Sequence, residues 1–200
     1  MNAKLTKLEV ARRQLGTALA LFLDNKDPVA VHVLACGGGE IAHRLAEVAG
    51  AEPFEAHVLA NFPELGKAKL AELRKKYWNA LKHATTQNGK DRDDTEILGA
   101  FSDEANDDHL FWGWYDFANA SGRLPIEAQA FQAWYFAKHP DKLRDGVDPV
   151  DFSRLFPGLA ELERSQQKAR LRRVIQRYRR CRDIIADPHT DQRPLLLGPI

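Results

Sequence analysis

Cysteine is scarce in this chain, which has only Cys36 and Cys181 in 200 residues. Two cysteines so far apart cannot build a disulfide framework, and they lack the spacing of a zinc-binding motif. We therefore expect reduced thiols and a cytoplasmic protein, with neither a bound metal nor a cofactor.

Long apolar runs of the kind that cross membranes are also missing. The apolar segment 15–23 is too short to span a bilayer. It leads directly into the polar residues 24–27, without the small residues of a signal-peptide cleavage site. We expect no membrane insertion and interpret this segment as the buried part of an amphipathic helix.

The alternation of apolar and polar residues that indicates β-strands between hairpin turns is absent as well. The apolar residues recur with the period of an α-helix instead. Asp27 and Pro28 form a helix start, an N-cap followed by proline at the first helical position. The predicted helices span about 4–24, 27–50, 63–87, 94–119, 124–139 and 159–185. We predict an all-α fold, an up-and-down helical bundle of five or six helices over residues 1–158. A basic amphipathic C-terminal helix over 159–186 would pack on the bundle, followed by an extended tail over 187–200.

Charge of one sign is not in excess, since the net charge is +1, but the basic residues are concentrated. Nine Lys and Arg residues, and no Asp or Glu, lie within 164–182. The polar side of that helix makes Arg172, Arg173, Arg177 and Arg180 candidate contacts for nucleic-acid phosphates. Two alternatives stay open: arginines that are solvated or paired with an acidic body, and contacts to a protein or an anionic membrane surface.

The most informative pair in the chain is Asn79 and His83, which stand four residues apart. On a helix their side chains would share a face with Glu72 and Lys76, away from the apolar stripe. A neutral histidine can accept the proton of a ribose 2′-hydroxyl or protonate the departing 5′-oxygen without a metal. Asparagine can orient the substrate, and Lys76 can contribute charge. The alternatives are a solvated face with a Glu72–Lys76 ion pair, and hydrogen bonds that tie two helices together.

The segment around this pair resembles the Arg-Asn-x-x-x-His motif of HEPN ribonucleases, with Trp78 in the place of the arginine. The segments 27–32 and 134–140 are similar to those of a group of uncharacterised bacterial helical proteins, and the similarity covers 5–143. The resemblance implies a bundle that forms a homodimer, with the motif histidines facing each other across a cleft. It also implies a metal-independent RNase of a toxin or defence system, with His83 and Asn79 as catalytic residues and RNA as partner.

Two other features keep different functions open. Gly37–Gly39 interrupt a predicted helix at about 1 kcal/mol each relative to alanine, which predicts close packing of a neighbouring helix or a kink that opens a pocket. The aromatic segment 110–117 has two apolar faces, which predicts a central helix or an oligomer interface. The chain could therefore be a non-catalytic interaction or scaffold protein, or a small-molecule binder with a pocket beside the glycines.

The remaining histidines give weaker signals. His32 is predicted to hydrogen-bond between helices, and the alternative is a metal site in which it meets His83 beside Asp108 or Asp116. The consecutive residues 107–109 look like a metal cluster, but successive residues of a helix point in different directions. We therefore expect no shared ion at 107–109.

Overall fold

The computed structural model describes residues 5–143, 148 and 150–199. Within them lie ten α-helices, three single turns of 3-10 helix and two short strands. The α-helices are α1 Lys7–Leu23, α2 Pro28–Val48, α3 Phe54–Asn61, α4 Gly66–Lys82, α5 Thr95–Gly99, α6 Ala105–Ser121, α7 Ile126–Lys138, α8 Val150–Leu155, α9 Arg164–Tyr178 and α10 Arg182–Ala186. The 3-10 turns are Pro63–Leu65, Pro140–Lys142 and Leu159–Glu161, and the strands are β1 Leu124–Pro125 and β2 Thr190–Asp191. The all-α prediction is confirmed, and no described helix is long and apolar enough to cross a membrane.

Helix α2 occupies the centre of the bundle, between α1 and α6. It begins where the sequence predicts, with the Asp27 carboxylate accepting a hydrogen bond from the Val29 amide at 2.9 Å. Small residues dominate its buried face: Ala35, Gly38, Gly39, Ala42 and Ala46. Val48, a large apolar residue at the end of the same helix, is 69% exposed. The buried stripe is therefore set by small residues instead of by the largest apolar ones.

The glycines of α2 are explained by how closely its neighbours approach. A Cβ added to Gly38 would lie 2.8 Å from the Leu15 side chain of α1. A Cβ added to Gly39 would lie 3.5 Å from the Cα of Gly113 in α6. The predicted close packing at the glycines is confirmed. The prediction that the aromatic segment forms a central helix is also confirmed, since Leu110, Phe111, Trp114 and Phe117 of α6 are all buried.

Helices α7 and α9 complete the core on the other side of α1. The Phe22 ring of α1 stands edge-on to Phe131 and Trp134 of α7, with ring centroids 5.6 and 5.9 Å away. Helix α9 buries its apolar stripe, which contains Leu171, Val174 and Ile175. The predicted packing of a basic C-terminal helix on the bundle agrees with this arrangement.

The tail after α10 runs back across the bundle to α1. Strand β2 pairs in parallel with β1, and the Arg12 side chain of α1 is completely buried beneath the tail. Arg12 donates hydrogen bonds to the Asp191 carboxylate at 3.0 Å and to the carbonyl oxygens of Leu195 and Pro194 at 2.9 and 3.1 Å. The tail is non-helical, as predicted, and is held by a buried ion pair.

The helix predicted over 94–119 is wrong, because the chain leaves the helical path between α5 and α6. In that gap the Phe101 ring packs against His32, with ring centroids 5.2 Å apart. The Asp103 carboxylate receives Arg164 and Lys168 of α9, each at 2.7 Å. These tertiary contacts outweigh the local helical pattern.

The single helix predicted over 159–185 is also wrong, because it is divided into a 3-10 turn, α9 and α10. Glu163 and Gln166 form a reciprocal capping box that starts α9. Arg179 follows the end of α9 and pairs with Glu127 of α7. The helix is therefore interrupted by a cap at one end and an ion pair at the other.

Candidate functional site

A cleft of about 320 Å³ lies between α2, α4 and α6. Ala35 and Gly39 of α2, Ala71 of α4 and Gly113 of α6 contribute backbone and little side chain to its lining. The cleft exists because α2 and α6 are in contact through glycines while α4 stands further away. Its volume is at the lower end of the range for small-molecule sites.

Two indole rings line the cleft, and charged partners hold both of them. Trp78 donates its ring N–H to the Glu40 carboxylate at 3.0 Å. Arg74 lies with its guanidinium carbon 4.9 Å from the centroid of the Trp112 ring and donates to Glu55 at 2.8 Å. The hydrogen bond from Trp78 to Glu40 joins α4 to α2. Both rings are thus fixed before any ligand arrives.

The positive charge in the cleft comes from a lysine and a histidine. Lys75 lines the cleft, is exposed, and forms no ion pair within the described part of the chain. His43 lies 3.2 Å from the Asp116 carboxylate, which also accepts the Phe54 amide at 2.7 Å. The hydrogen bond to Asp116 raises the pKa of His43 above its usual value, although burial opposes the rise. An anionic group in the cleft would meet both cations.

Three side chains with nitrogen or sulfur donors converge beside the cleft. His32 and Cys36 stand one turn apart on α2, and His109 comes from α6. One donor atom from each residue lies within 4.8 Å of the other two. Cys36 and His109 line the cleft, and His32 is completely buried next to them. We call these three residues the His–Cys–His cluster.

The protonation of His32 can be read from its hydrogen bonds. The amide nitrogen of Asn106 donates to the Pro28 carbonyl at 3.1 Å, so its oxygen faces His32 Nδ1 at 3.0 Å and accepts a hydrogen bond from the Nδ1–H group. The other nitrogen, Nε2, is then an acceptor, and it is buried without a hydrogen-bond partner among the described residues. Leaving a buried acceptor unpaired costs about 1–3 kcal/mol. Burial, and the nearby His109, lower the pKa of His32 to about 4, so the ring is neutral at pH 7.

The other two members of the cluster also carry donor atoms in a confined place. His109 Nδ1 lies 3.1 Å from the Ala105 carbonyl oxygen, and Nε2 lies 2.9 Å from that of Arg74. A neutral imidazole has a single N–H, so in that form one nitrogen points a lone pair at a carbonyl. Burial raises the pKa of the Cys36 thiol, with a further contribution from Glu40. With His109 neutral, one lone pair on each histidine therefore faces no hydrogen-bond donor among the described residues.

The predicted catalytic pair lies outside the residues that line the cleft. Helix α4 ends one residue before His83, which is exposed, has extended backbone angles and donates its backbone N–H to the Asn79 carbonyl at 3.1 Å. The expected Glu72–Lys76 ion pair is wrong too, because Glu72 pairs with Lys69 at 3.0 Å. Lys76 is exposed on α4. A catalytic role for His83 and Asn79 stays a prediction.

The predicted nucleic-acid contacts on α9 fall into two groups. Arg172 donates to the Leu23 carbonyl at the end of α1 and so holds two helices together. Arg173, Arg177 and Arg180 are exposed and form no ion pair with any described residue. These three form one exposed basic patch, which we call the α9 arginine patch.

The alternative metal site of His32 with His83 is wrong, because the ring of His32 lies against His109, with centroids 4.4 Å apart. The prediction that the side chains of 107–109 point in different directions is confirmed. Asp107 pairs with Lys138, whereas Asp108 accepts a hydrogen bond from the Tyr135 hydroxyl. The cluster itself has a sequence signal that we missed. Histidine, cysteine, glutamate and histidine recur at positions 32, 36, 40 and 43, along one face of α2.

Comparisons with protein-family models, curated proteins and solved structures give no match to this chain. Functional inference therefore depends on the geometry of the chain itself.

Proposed function

We propose that this chain binds a small planar organic molecule in the cleft between α2, α4 and α6. The observation that supports the proposal is the pairing, in one cleft of about 320 Å³, of two anchored indole rings with walls of small residues. A concave site with aromatic walls and a few fixed polar groups is the usual form of a small-molecule site. Among the functions that the sequence left open, a small-molecule binder with a pocket beside the glycines is the one that corresponds to this proposal.

The lining indicates the class of ligand. Indole rings favour flat partners, which they contact face to face or by an edge. Arg74 and Glu55 already neutralise each other, and the Glu40 carboxylate accepts the Trp78 N–H. The cation left for a ligand is Lys75, with His43 beside it when protonated. We therefore infer an aromatic or heteroaromatic molecule that carries a carboxylate or a similar anionic group.

A cavity-filling variant tests this proposal. Ala71 of α4 lines the cleft, and Ala68 lies three residues earlier on the same helix, outside the cleft lining and exposed. Saturation-transfer NMR with naphthalene-2-carboxylate should detect binding to the natural protein and to Ala68→Phe. Ala71→Phe should abolish it, because the new ring occupies the cleft. Equal binding by both variants would place the ligand elsewhere and refute the proposal.

A second candidate function is RNA association by a HEPN-like protein, and the α9 arginine patch supports it. Three exposed guanidinium groups that form no ion pair with a described residue are free to contact phosphates. Replacing Arg173, Arg177 and Arg180 by Gln should reduce the salt dependence of RNA affinity, with the logarithmic slope falling by about 2. A control with the same net charge replaces three exposed lysines elsewhere, Lys7, Lys67 and Lys90, by Gln. Equal slopes in both variants would argue against the patch.

The RNase and homodimer predictions can be tested with the same preparation. Cleavage of an RNA pool in EDTA that disappears in His83→Ala would support the catalytic pair despite Trp78. Absence of cleavage by the natural protein would contradict it. Light scattering at twice the 22.6 kDa chain mass would support the homodimer, and a value at the chain mass would contradict it.

A further inference from the structure

The His–Cys–His cluster combines three features that a metal site requires. Its donors are two imidazole nitrogens and one sulfur, and they converge from two helices that pack directly against each other. One donor, His32 Nε2, is completely buried and has no hydrogen-bond partner among the described residues. Two of the three side chains also line a cleft through which an ion can enter.

We propose that His32, Cys36 and His109 bind one transition-metal ion of the zinc type beside the cleft. Imidazole and thiolate donors suit Zn²⁺ and related ions, whereas Mg²⁺ and Ca²⁺ take oxygen ligands. On binding, the Cys36 S–H bond breaks, its proton passes to the solvent, and the sulfur lone pair forms the bond to the metal. No oxidant or reductant takes part.

The surroundings orient the two histidines for this role. A metal-bound histidine normally donates its second ring N–H to a carbonyl or carboxylate, which fixes the ring and its tautomer. His32 does so through Nδ1 to Asn106, which is held in turn by the Pro28 carbonyl. His109 has a backbone carbonyl beside each ring nitrogen. To bind the ion, one nitrogen turns away from its carbonyl while the other keeps its N–H bond to the second carbonyl.

The separation of the donors calls for a small adjustment. Zinc bonds of about 2.0–2.3 Å in a tetrahedron place the ligand atoms about 3.5 Å apart. The donors lie within 4.8 Å of one another. They therefore need to close by at most about 1.3 Å to reach the zinc separation. Rotation of the Cys36 and His109 side chains supplies a movement of that size.

Three protein ligands leave a fourth position, which is typical of zinc sites that act on a bound molecule. Because Cys36 and His109 line the cleft, that position is reached from the cleft. Glu40 stands one turn beyond Cys36 on α2 and lines the same cleft, so its carboxylate is near enough to compensate the charge of the ion. In this respect the inference rests on the proposed function: the anionic group of the ligand would take the fourth position.

Cobalt binding tests the inference directly, without any organic ligand. We expect Co²⁺ to bind one per chain to the reduced full-length protein, with visible d–d bands of tetrahedral intensity and a thiolate-to-cobalt charge-transfer band in the near ultraviolet. Cys36→Ser should lose the charge-transfer band, whereas Cys181→Ser, which changes the other free thiol, should retain it. Asn106→Ala keeps all three ligands and should weaken Co²⁺ binding about 10–100-fold. Zn²⁺ should displace Co²⁺ from the site.

Several results would overturn the inference. These are no cobalt spectrum with the natural protein, a charge-transfer band unchanged in Cys36→Ser, or one lost in Cys181→Ser. Circular dichroism on each variant checks the fold, and a spectrum unchanged in a folded His109→Gln variant would also refute the assignment. Ala71→Phe separates the two proposals, because it should block the organic probe and leave Co²⁺ binding intact.

Discussion

Replacing Asp191 by Asn should destabilise the chain by about 2 kcal/mol at pH 7. The Arg12 guanidinium is completely buried, and it donates to Asp191 at 3.0 Å, as Arg193 does at 2.8 Å. Although burial acts in the opposite direction, these hydrogen bonds lower the pKa of Asp191 from 3.8 to about 2. At about 1.4 kcal/mol per pKa unit, that difference corresponds to about 2 kcal/mol of folding free energy.

The pH dependence of this effect has a defined sign. Because the folded-state pKa of Asp191 is lowered, its stabilisation is present above pH 3.8 and is lost as the pH falls through about 2. Urea unfolding of the natural protein and Asp191→Asn should therefore give a constant difference from pH 7 to pH 5, reduced to about half at pH 3. The control Asp183→Asn changes an exposed carboxylate of α10 and should have little effect. A difference below about 0.5 kcal/mol at pH 7, or one that grows on acidification, would refute the reasoning.

Two further predictions concern the packing and the charge around the cleft. Gly113→Ala should cost about 1–3 kcal/mol in thermal or urea unfolding, because the new Cβ would lie 2.5 Å from the Leu15 side chain. Gly99→Ala, with nothing within 4 Å, should be neutral or slightly stabilising, and equal losses in both would contradict the packing. His43→Gln should destabilise more at pH 5.5 than at pH 8.5. The pKa of His43 is higher in the folded protein than its unfolded-state value of 6.5. Its bond to Asp116 therefore stabilises the fold fully below pH 6.5, and this stabilisation is lost as the pH rises through the folded-state pKa. A difference that does not change with pH would contradict that coupling.

Local signals in the sequence predicted the start of α2 and the role of its glycines. The Asp27–Pro28 start depends on hydrogen bonds within a few residues, so it can be read without knowing the fold. The buried face of α2 could not be read in this way, because it depends on which neighbours approach. Residue size does not reveal it either, since the large apolar Val48 is exposed whereas Gly38 and Gly39 are buried.

The positions where the predicted helices are interrupted could not be predicted from local sequence either, because they depend on contacts between distant residues. Residues 100–104 have helical neighbours on both sides, and the chain departs from the helix because Phe101 and Asp103 find partners in other elements. Such partners, like the contact between Arg179 and Glu127, lie far apart in sequence. The capping box of Glu163 and Gln166 involves residues three apart, but its glutamate is not the usual Ser or Thr of that motif, and the predicted helix began at 159 instead.

Part of the candidate site could be predicted from the sequence. The spacing of His32, Cys36, Glu40 and His43 places four chemically useful side chains on one face of a helix, and periodicity alone could have found them. The third cluster member, His109, could not be assigned, because its position depends on the packing of α6 against α2. The four-residue spacing and the resemblance to the HEPN motif pointed instead to Asn79 and His83, but His83 lies beyond the end of α4.

The four tryptophans of the chain allow the most direct test of the cleft as the binding site. Trp78 and Trp112 line the cleft, whereas Trp114 and Trp134 are completely buried in the core. Proton–nitrogen NMR resolves one indole N–H signal for each ring, and Trp→Phe variants assign them. Titration with naphthalene-2-carboxylate should shift the signals of Trp78 and Trp112 and leave the other two in place. No shift at Trp78 and Trp112, or equal shifts at all four rings, would contradict the assignment of the cleft as the functional site.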